Sequence, residues 1–161
     1  MEFWDIYDEN KKPTGRTMKR NDWCLKDGEY HLTVLGVVGR PDGTFLITKR
    51  VMTKAWAPGW WEVSGGAAQA GEKSCEAVLR EVKEETNLDV DDLELFNVAD
   101  DIQPDRHYIT LQVIAKKHTG ELKIMEPTKE DEWQWFDLDN LPEKLYSPSR
   151  KFIERYLKLR K

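Results

Sequence analysis

Three glutamates in one short segment, Glu81, Glu84 and Glu85, are the residues of this sequence best placed to do chemistry. On a helix, at about 100° per residue, they fall within roughly 100° of arc on one face. Like charges at i, i+3 and i+4 repel by about 0.2–0.5 kcal/mol per pair. The same three side chains offer hard oxygen donors. Such donors suit Mg²⁺ or Mn²⁺, ions that readily share their shell with substrate phosphates. The glycine-rich turn that opens at Gly66 lets the backbone approach closely, and its carbonyl can serve as a further ligand. A solvated acidic helix face accounts for the same spacing.

The acids need a helix to hold them together. Between about Lys73 and Thr86, Cys75, Val78, Leu79 and Val82 recur at i, i+3, i+4 and i+7, which predicts a helix with these residues as its apolar stripe. Cys75 reads as core, and the carboxylates flank the stripe. Asn87 follows as a left-handed stop.

Upstream, Phe3–Tyr7 reads as a short strand, with turn-rich residues at Asp8–Asn10 and Pro13–Gly15. His31–Gly39 is the strongest β run, Pro41-Asp42-Gly43 is a turn, and Thr44–Arg50 returns, so residues 31–50 read as a hairpin. An ordered loop from Val51 to Trp61 leads to the brief strand Glu62–Ser64. Downstream, strands over Leu93–Val98 and Tyr108–Lys116 flank a polar loop, Asp100–Arg106, and Trp133–Phe136 is short and aromatic. A last helix over about 148–160 has Ser147 as N-cap, Pro148 at its first position, and an apolar face of Phe152, Ile153, Tyr156 and Leu157. Without repeats or linkers, residues 1–161 read as one mixed α/β domain.

Composition narrows the function classes. The 161 residues carry 39% hydrophobic side chains and 7 Trp, too many for a disordered chain. The largest apolar run, Leu32–Val38, is too short to cross a bilayer, and an N-terminus bearing Glu2 and Asp5 does not look like a signal peptide. The 2 cysteines, Cys24 and Cys75, make no disulfide framework, which suits a reducing cytoplasm. A net charge of −5 argues against a nucleic-acid coat. That charge is local, since residues 66–92 hold 8 acids against 3 bases.

Gly66, Glu72 and Arg80-Glu81-Val82-Lys83-Glu84-Glu85-Thr86-Asn87-Leu88 resemble the Nudix box, G-x5-E-x7-R-E-U-x-E-E-x-G-U with U aliphatic, over residues 66–88. Asn87 alone departs, standing where the family has Gly. Asn is the next residue most tolerant of a left-handed helix stop. The resemblance implies a Nudix α/β/α sandwich with a mixed sheet, and divalent-metal-dependent hydrolysis of a pyrophosphate bond in a nucleoside diphosphate linked to another moiety. It implies Glu81, Glu84 and Glu85 as ligands, with the Gly66 carbonyl. Either Glu81 or Glu84 could instead be the catalytic base, and Arg80, partnered by Glu72, would orient Glu81. A metal in such a site neutralises charge on phosphate oxygens and acidifies water.

Outside the box, Glu126, Glu130, Asp131 and Glu132 precede Trp133, where many relatives place a further acid. Arg50 could meet a phosphate or sit in a surface ion pair. Trp56, Trp60 or Trp61 could stack on a base or lie in a core lid. His31, His107 and His118 are scattered and suggest no role. The N-terminal stretch Asp5–Asn10, Pro13–Arg16 and Tyr30–Leu32 resembles the isopentenyl-diphosphate isomerase-related Nudix subgroup, which raises an isomerase as a rival. Residues 60–67 lack the Cys and His that such an isomerase needs. A non-catalytic nucleotide-binding module would have no use for three adjacent like charges. The family also admits a homodimer through the Trp-rich N-terminal region.

Overall fold

The computed structural model describes residues 2–20, 22, 24–54, 58–103, 106–137 and 139–160. The strongest β run forms β3, His31–Val38, which is the organising strand. It pairs in parallel with β8, Arg106–Thr119, and antiparallel with β6, Ser64–Ala67. Beyond β8 lies β7, Asp89–Gln103, giving the order β6-β3-β8-β7. A second sheet holds β5 (Trp61–Glu62), β4 (Thr44–Arg50) and β9 (Glu130–Asp137), in the order β5-β4-β9. The N-terminus forms a separate two-stranded sheet of β1, Phe3–Tyr7, and β2, Pro13–Lys19.

Alternation along β3 sends its side chains to two cores. Val34 and Val38 meet Val78 and Val82 of α1, Ser74–Thr86, and Val113 of β8. Val37 meets Phe45, Ile47, Ile114 and, from α2 (Ser147–Arg160), Phe152 and Ile153. One helix therefore covers each face, as the α/β/α sandwich requires. Gly36 permits the α1 side to close, because a Cβ there would lie 3.0 Å from the Val78 side chain. A third cluster, Trp4, Ile6 and Met18, fastens the N-terminal sheet, and the Trp4 ring stacks on buried His31 at 4.5 Å.

Four expectations need correction. Residues 31–50 turn back at Pro41-Asp42-Gly43, where Gly43 has φ 89°, yet they do not form a hairpin. Both edges of β3 are occupied by β6 and β8, so β4 pairs with β9 instead, and an isolated Gly39–Phe45 bridge just past the end of β3 is its ladder contact there. The polar stretch after Val98 continues the ladder, with Asp100 opposite Ile109 and Gln103 opposite Arg106. Ladder bonds join backbone groups, so polarity alone does not end a strand. Pro13–Gly15 belongs to β2, where Gly15 takes φ 86° beside a register shift in β1.

The fourth concerns the roll of α1. Its buried residues are Ala77, Val78, Val82 and Thr86, while Leu79 is 42% exposed and Cys75 is exposed, not core. The edge bearing Glu81 and Glu85 faces β6, and this roll swings the opposite edge into solvent. Polar anchors displaced part of the apolar stripe.

The helix ends as the sequence predicts. Asn87 takes φ 70° and ψ 4°, its N–H donates to Lys83 O at 3.0 Å, and its side-chain amide donates to Glu121 O at 3.0 Å. Asn87→Gly should therefore leave stability within about 0.5 kcal/mol, the lost amide bond offsetting the relaxed backbone. Asn87→Val, branched at Cβ, should cost about 1–2 kcal/mol in urea denaturation. Equal stability of the two variants would overturn this account of the stop.

Candidate active site

Arg80 ties the turn to the helix. Its guanidinium donates to both Glu72 oxygens, at 2.7 and 2.9 Å, to Glu81 at 2.9 Å, to Glu84 at 3.3 Å and to the Ala67 carbonyl at 3.1 Å. Glu72 also accepts the Gln69 N–H at 3.0 Å, which closes the turn on itself. The bidentate pair with Arg80 is the largest reason that Glu72 is held below the usual carboxylate range. The expected Arg80–Glu72 partnership is thus present, with Glu81 on the same guanidinium.

Gly66 explains its own place in the motif. A Cβ at this position would run into the Glu81 carboxylate, so glycine leaves that carboxylate the room it occupies beside Arg80. Glu81 is consequently enclosed, with 15% of its side chain exposed. Burial is the main cause that pushes its carboxyl up to about 7, and Glu84 and Glu2 add to the push against Arg80. Glu84 turns outward, with 53% of its side chain exposed.

Glu85 meets acids from a distant part of the chain. Its oxygens, with those of Glu126 and Glu130, lie within 4.8 Å of one another. Ser64 of β6 donates a hydrogen bond to Glu85, while burial drives the Glu85 carboxyl well above its ordinary range. Glu130 is buried at 6% exposure, accepts the Trp133 indole N–H at 2.7 Å, and is pushed up to about 7, chiefly by burial. Of the four downstream acids, Glu126 and Glu130 approach Glu85. Asp131 faces Lys49 at 3.9 Å, and Glu132 accepts from Gln134 at 2.9 Å.

Two contributors had no clear mark in the sequence. Glu62 is buried enough to be raised in pKa, and its charge acts on both Glu85 and Glu130. Its place two residues before Ser64 on an alternating run was the available signal; Ser64 had none. Arg50, opposite Glu130 in the β4–β9 ladder, donates to Glu62 at 3.1 Å with 12% of its side chain exposed. Trp60 is 37% exposed, Trp61 packs edge-on against Phe136 at 5.0 Å, and Trp56 lies outside the described residues.

An oxygen-rich cluster of like charges, half-enclosed and backed by a glycine turn, has the donor chemistry to hold a hard divalent cation. The comparisons supply the family. The NUDIX domain model matches residues 29–156, and the chain belongs to the Nudix hydrolase family. An uncharacterized Nudix hydrolase of Listeria monocytogenes is 39% identical over 92 residues, 56% of this chain and 54% of that protein. The chain thus spans about half the length of its Listeria relatives. An ADP-ribose pyrophosphatase of Methanocaldococcus jannaschii is 39% identical over 154 residues, covering 92% of this chain and 86% of that one. Among solved structures, a MutT NUDIX hydrolase from Burkholderia pseudomallei matches with a TM-score of 0.70 and 29% identity, over 78% of this chain and 96% of that chain.

The raised acids make a pH prediction. A carboxyl at about 7 when folded and about 4.5 when unfolded keeps its proton longer in the folded state. Its contribution is present below the unfolded value and is lost as pH rises toward about 7. Metal-free protein should lose stability over that window, and Glu130→Gln should raise its stability at pH 8 by on the order of 2 kcal/mol. Chemical denaturation after chelation checks this; a less stable Glu130→Gln protein would contradict it.

Proposed function

We propose that the protein hydrolyses a pyrophosphate bond in a nucleoside diphosphate linked to another moiety, using Mg²⁺ or Mn²⁺. The observation that carries this reading is the meeting of Glu85 with Glu126 and Glu130 inside 4.8 Å. Three oxygen donors from a helix and from the approach and start of a strand fit a hard divalent cation. Glu85, Glu126 and Glu130 would hold it, together with the Gly66 carbonyl at the head of the turn. Bound there, the ion would offset negative charge on the pyrophosphate oxygens.

The chain's own residues divide the remaining work. Glu81 stands beside this group, bonded to Arg80, and its raised pKa of about 7 suits a group that takes a proton from attacking water near neutral pH. Arg80 keeps that carboxylate oriented. Glu84 lies on the exposed side of the helix, where it accepts from Arg80 at 3.3 Å. Cations stand around the acids: Lys129 bonds Glu126 at 2.7 Å, and Arg50 bonds Glu62 at 3.1 Å. An acidic pocket with a basic border can take first the ion and then the phosphates that follow it.

The relative from Methanocaldococcus jannaschii, named an ADP-ribose pyrophosphatase, supports ADP-ribose as a member of the first panel. Nucleoside triphosphates, nucleotide sugars and dinucleoside polyphosphates complete it. Wild type should turn over at least one of these with Mg²⁺ and none after chelation. Glu85→Gln and Glu130→Gln should each lose both Mg²⁺-induced thermal stabilisation and roughly a hundredfold or more in kcat. Glu81→Gln should lose a similar factor in kcat while keeping the stabilisation. Chelator-resistant turnover would overturn the metal reading, and an inactive wild type across the panel would overturn the hydrolase reading.

A further inference from the structure

The chain changes sheets at a single residue on its way to the acids. β5 pairs with β4 through Trp61 and Glu62, and β6 pairs with β3 from Ser64 onward. Val63 stands between the two ladders and belongs to neither register. It is 4% exposed, and a buried N–H left without an acceptor is costly. The acceptor comes from 86 residues away: the Val63 N–H donates to the Ser149 hydroxyl, in the first turn of α2, at 3.1 Å. Ser149 is itself 2% exposed, so water does not compete for the bond.

The approach to α2 supports the same strand. The Trp61 N–H donates to Lys144 O at 2.8 Å, the Tyr146 N–H donates to Trp61 O at 2.8 Å, and Leu145 bridges Trp61 in parallel. Residues 144–146 thus run beside β5. One step further the chain has turned into α2, and the Ser149 side chain takes over from ladder carbonyls.

This support fixes the side of the strand that faces the acids. Trp61 and Val63 pack into the core with Leu145, Phe152 and Ile153, so alternation sends Glu62 and Ser64 the other way. Ser64 donates to Glu85, and Glu62 is held by Arg50 at 3.1 Å. The β3 ladder secures Ser64 itself, opposite Gly36, while Ser149 secures the residue before it. We propose that Ser149 is a positioning residue for the hydrolysis: its hydroxyl sets the backbone at Val63, and through it the aim of the Ser64 hydroxyl at Glu85. The inference rests on the hydrolase reading above, and it places a determinant of the ion site on a helix that bears none of the cluster's acids.

Mg²⁺ titration of wild type, Ser149→Ala, Ser149→Cys and Ile153→Val, read by thermal shift, tests this without turnover. Loss of a group that orients a metal ligand costs about 10–100-fold in metal affinity or activity. Ser149 acts one bond further out. Ser149→Ala should therefore weaken Mg²⁺ binding roughly threefold to tenfold and lower kcat by a similar factor, with KM within roughly twofold of wild type. Ser149→Cys, close in volume but a weaker acceptor, should fall between the two and serves if Ser149→Ala does not fold. Ile153→Val thins the same core and leaves the Val63 bond intact, so it should lower the melting temperature and leave Mg²⁺ affinity and kcat unchanged. In wild type, the Val63 amide should exchange with deuterium as slowly as the buried ladder amides of β3. Equal Mg²⁺ affinity in wild type and the Ser149 variants, a loss that Ile153→Val matches, or fast exchange at Val63 overturns the role of Ser149 and leaves the hydrolase reading standing. A wild type that binds Mg²⁺ but turns over nothing on the panel sinks the hydrolase reading and leaves the titrations to decide Ser149. A wild type that binds no Mg²⁺ sinks both.

Discussion

The placing of several carboxylates where water cannot fully screen them is the constraint on which this structure turns. Glu85, Glu126 and Glu130 stand within 4.8 Å, and burial raises the first and last of them. Such a group opposes folding unless something else holds its members in place. Ser64 holds Glu85, Trp133 holds Glu130, Lys129 holds Glu126, and Arg80 holds Glu81. The roll of α1 follows from the same requirement, because the helix must turn its acidic edge toward β6. Leu79 and Cys75 are left outside as a result. The site is thus maintained at the expense of apolar burial, by polar contacts arranged around it.

Much of this was legible in the chain, and the reasons are local. The helix, its acids, the Arg80–Glu72 partnership and the left-handed stop all rest on contacts within about two dozen residues. Backbone periodicity and helix-end chemistry specify such contacts directly. Asn87 shows how far the local reading extends: a departure from the motif was predicted to keep the left-handed geometry, and φ 70° agrees. The Glu121 contact that accompanies it comes from a remote loop and could not be read.

The errors share one cause, which is competition between elements far apart in sequence. A turn at residues 41–43 reads as a hairpin until β6 and β8 are known to occupy both edges of β3. An apolar stripe reads as the buried face until Ser64 and Arg80 draw the helix round. Four acids before Trp133 look alike until the β4–β9 register sets Arg50 opposite Glu130 and Lys49 opposite Glu132. Glu62 escaped notice because its influence depends on facing Glu85 and Glu130 across strands. In each case residue type was readable and the partner was not.

The N-terminal sheet carries this reasoning furthest. The family match begins at residue 29, so β1 and β2 precede it. They are nevertheless joined to the box turn by Phe3 and Asp5, and to β3 by the Trp4–His31 stack. A segment attached at those points cannot move without disturbing Gln69–Gly71, and through Glu72 the Arg80 clamp. The matched part supplies the acids, and the preceding strands brace the turn that leads into the helix bearing Glu81 and Glu85.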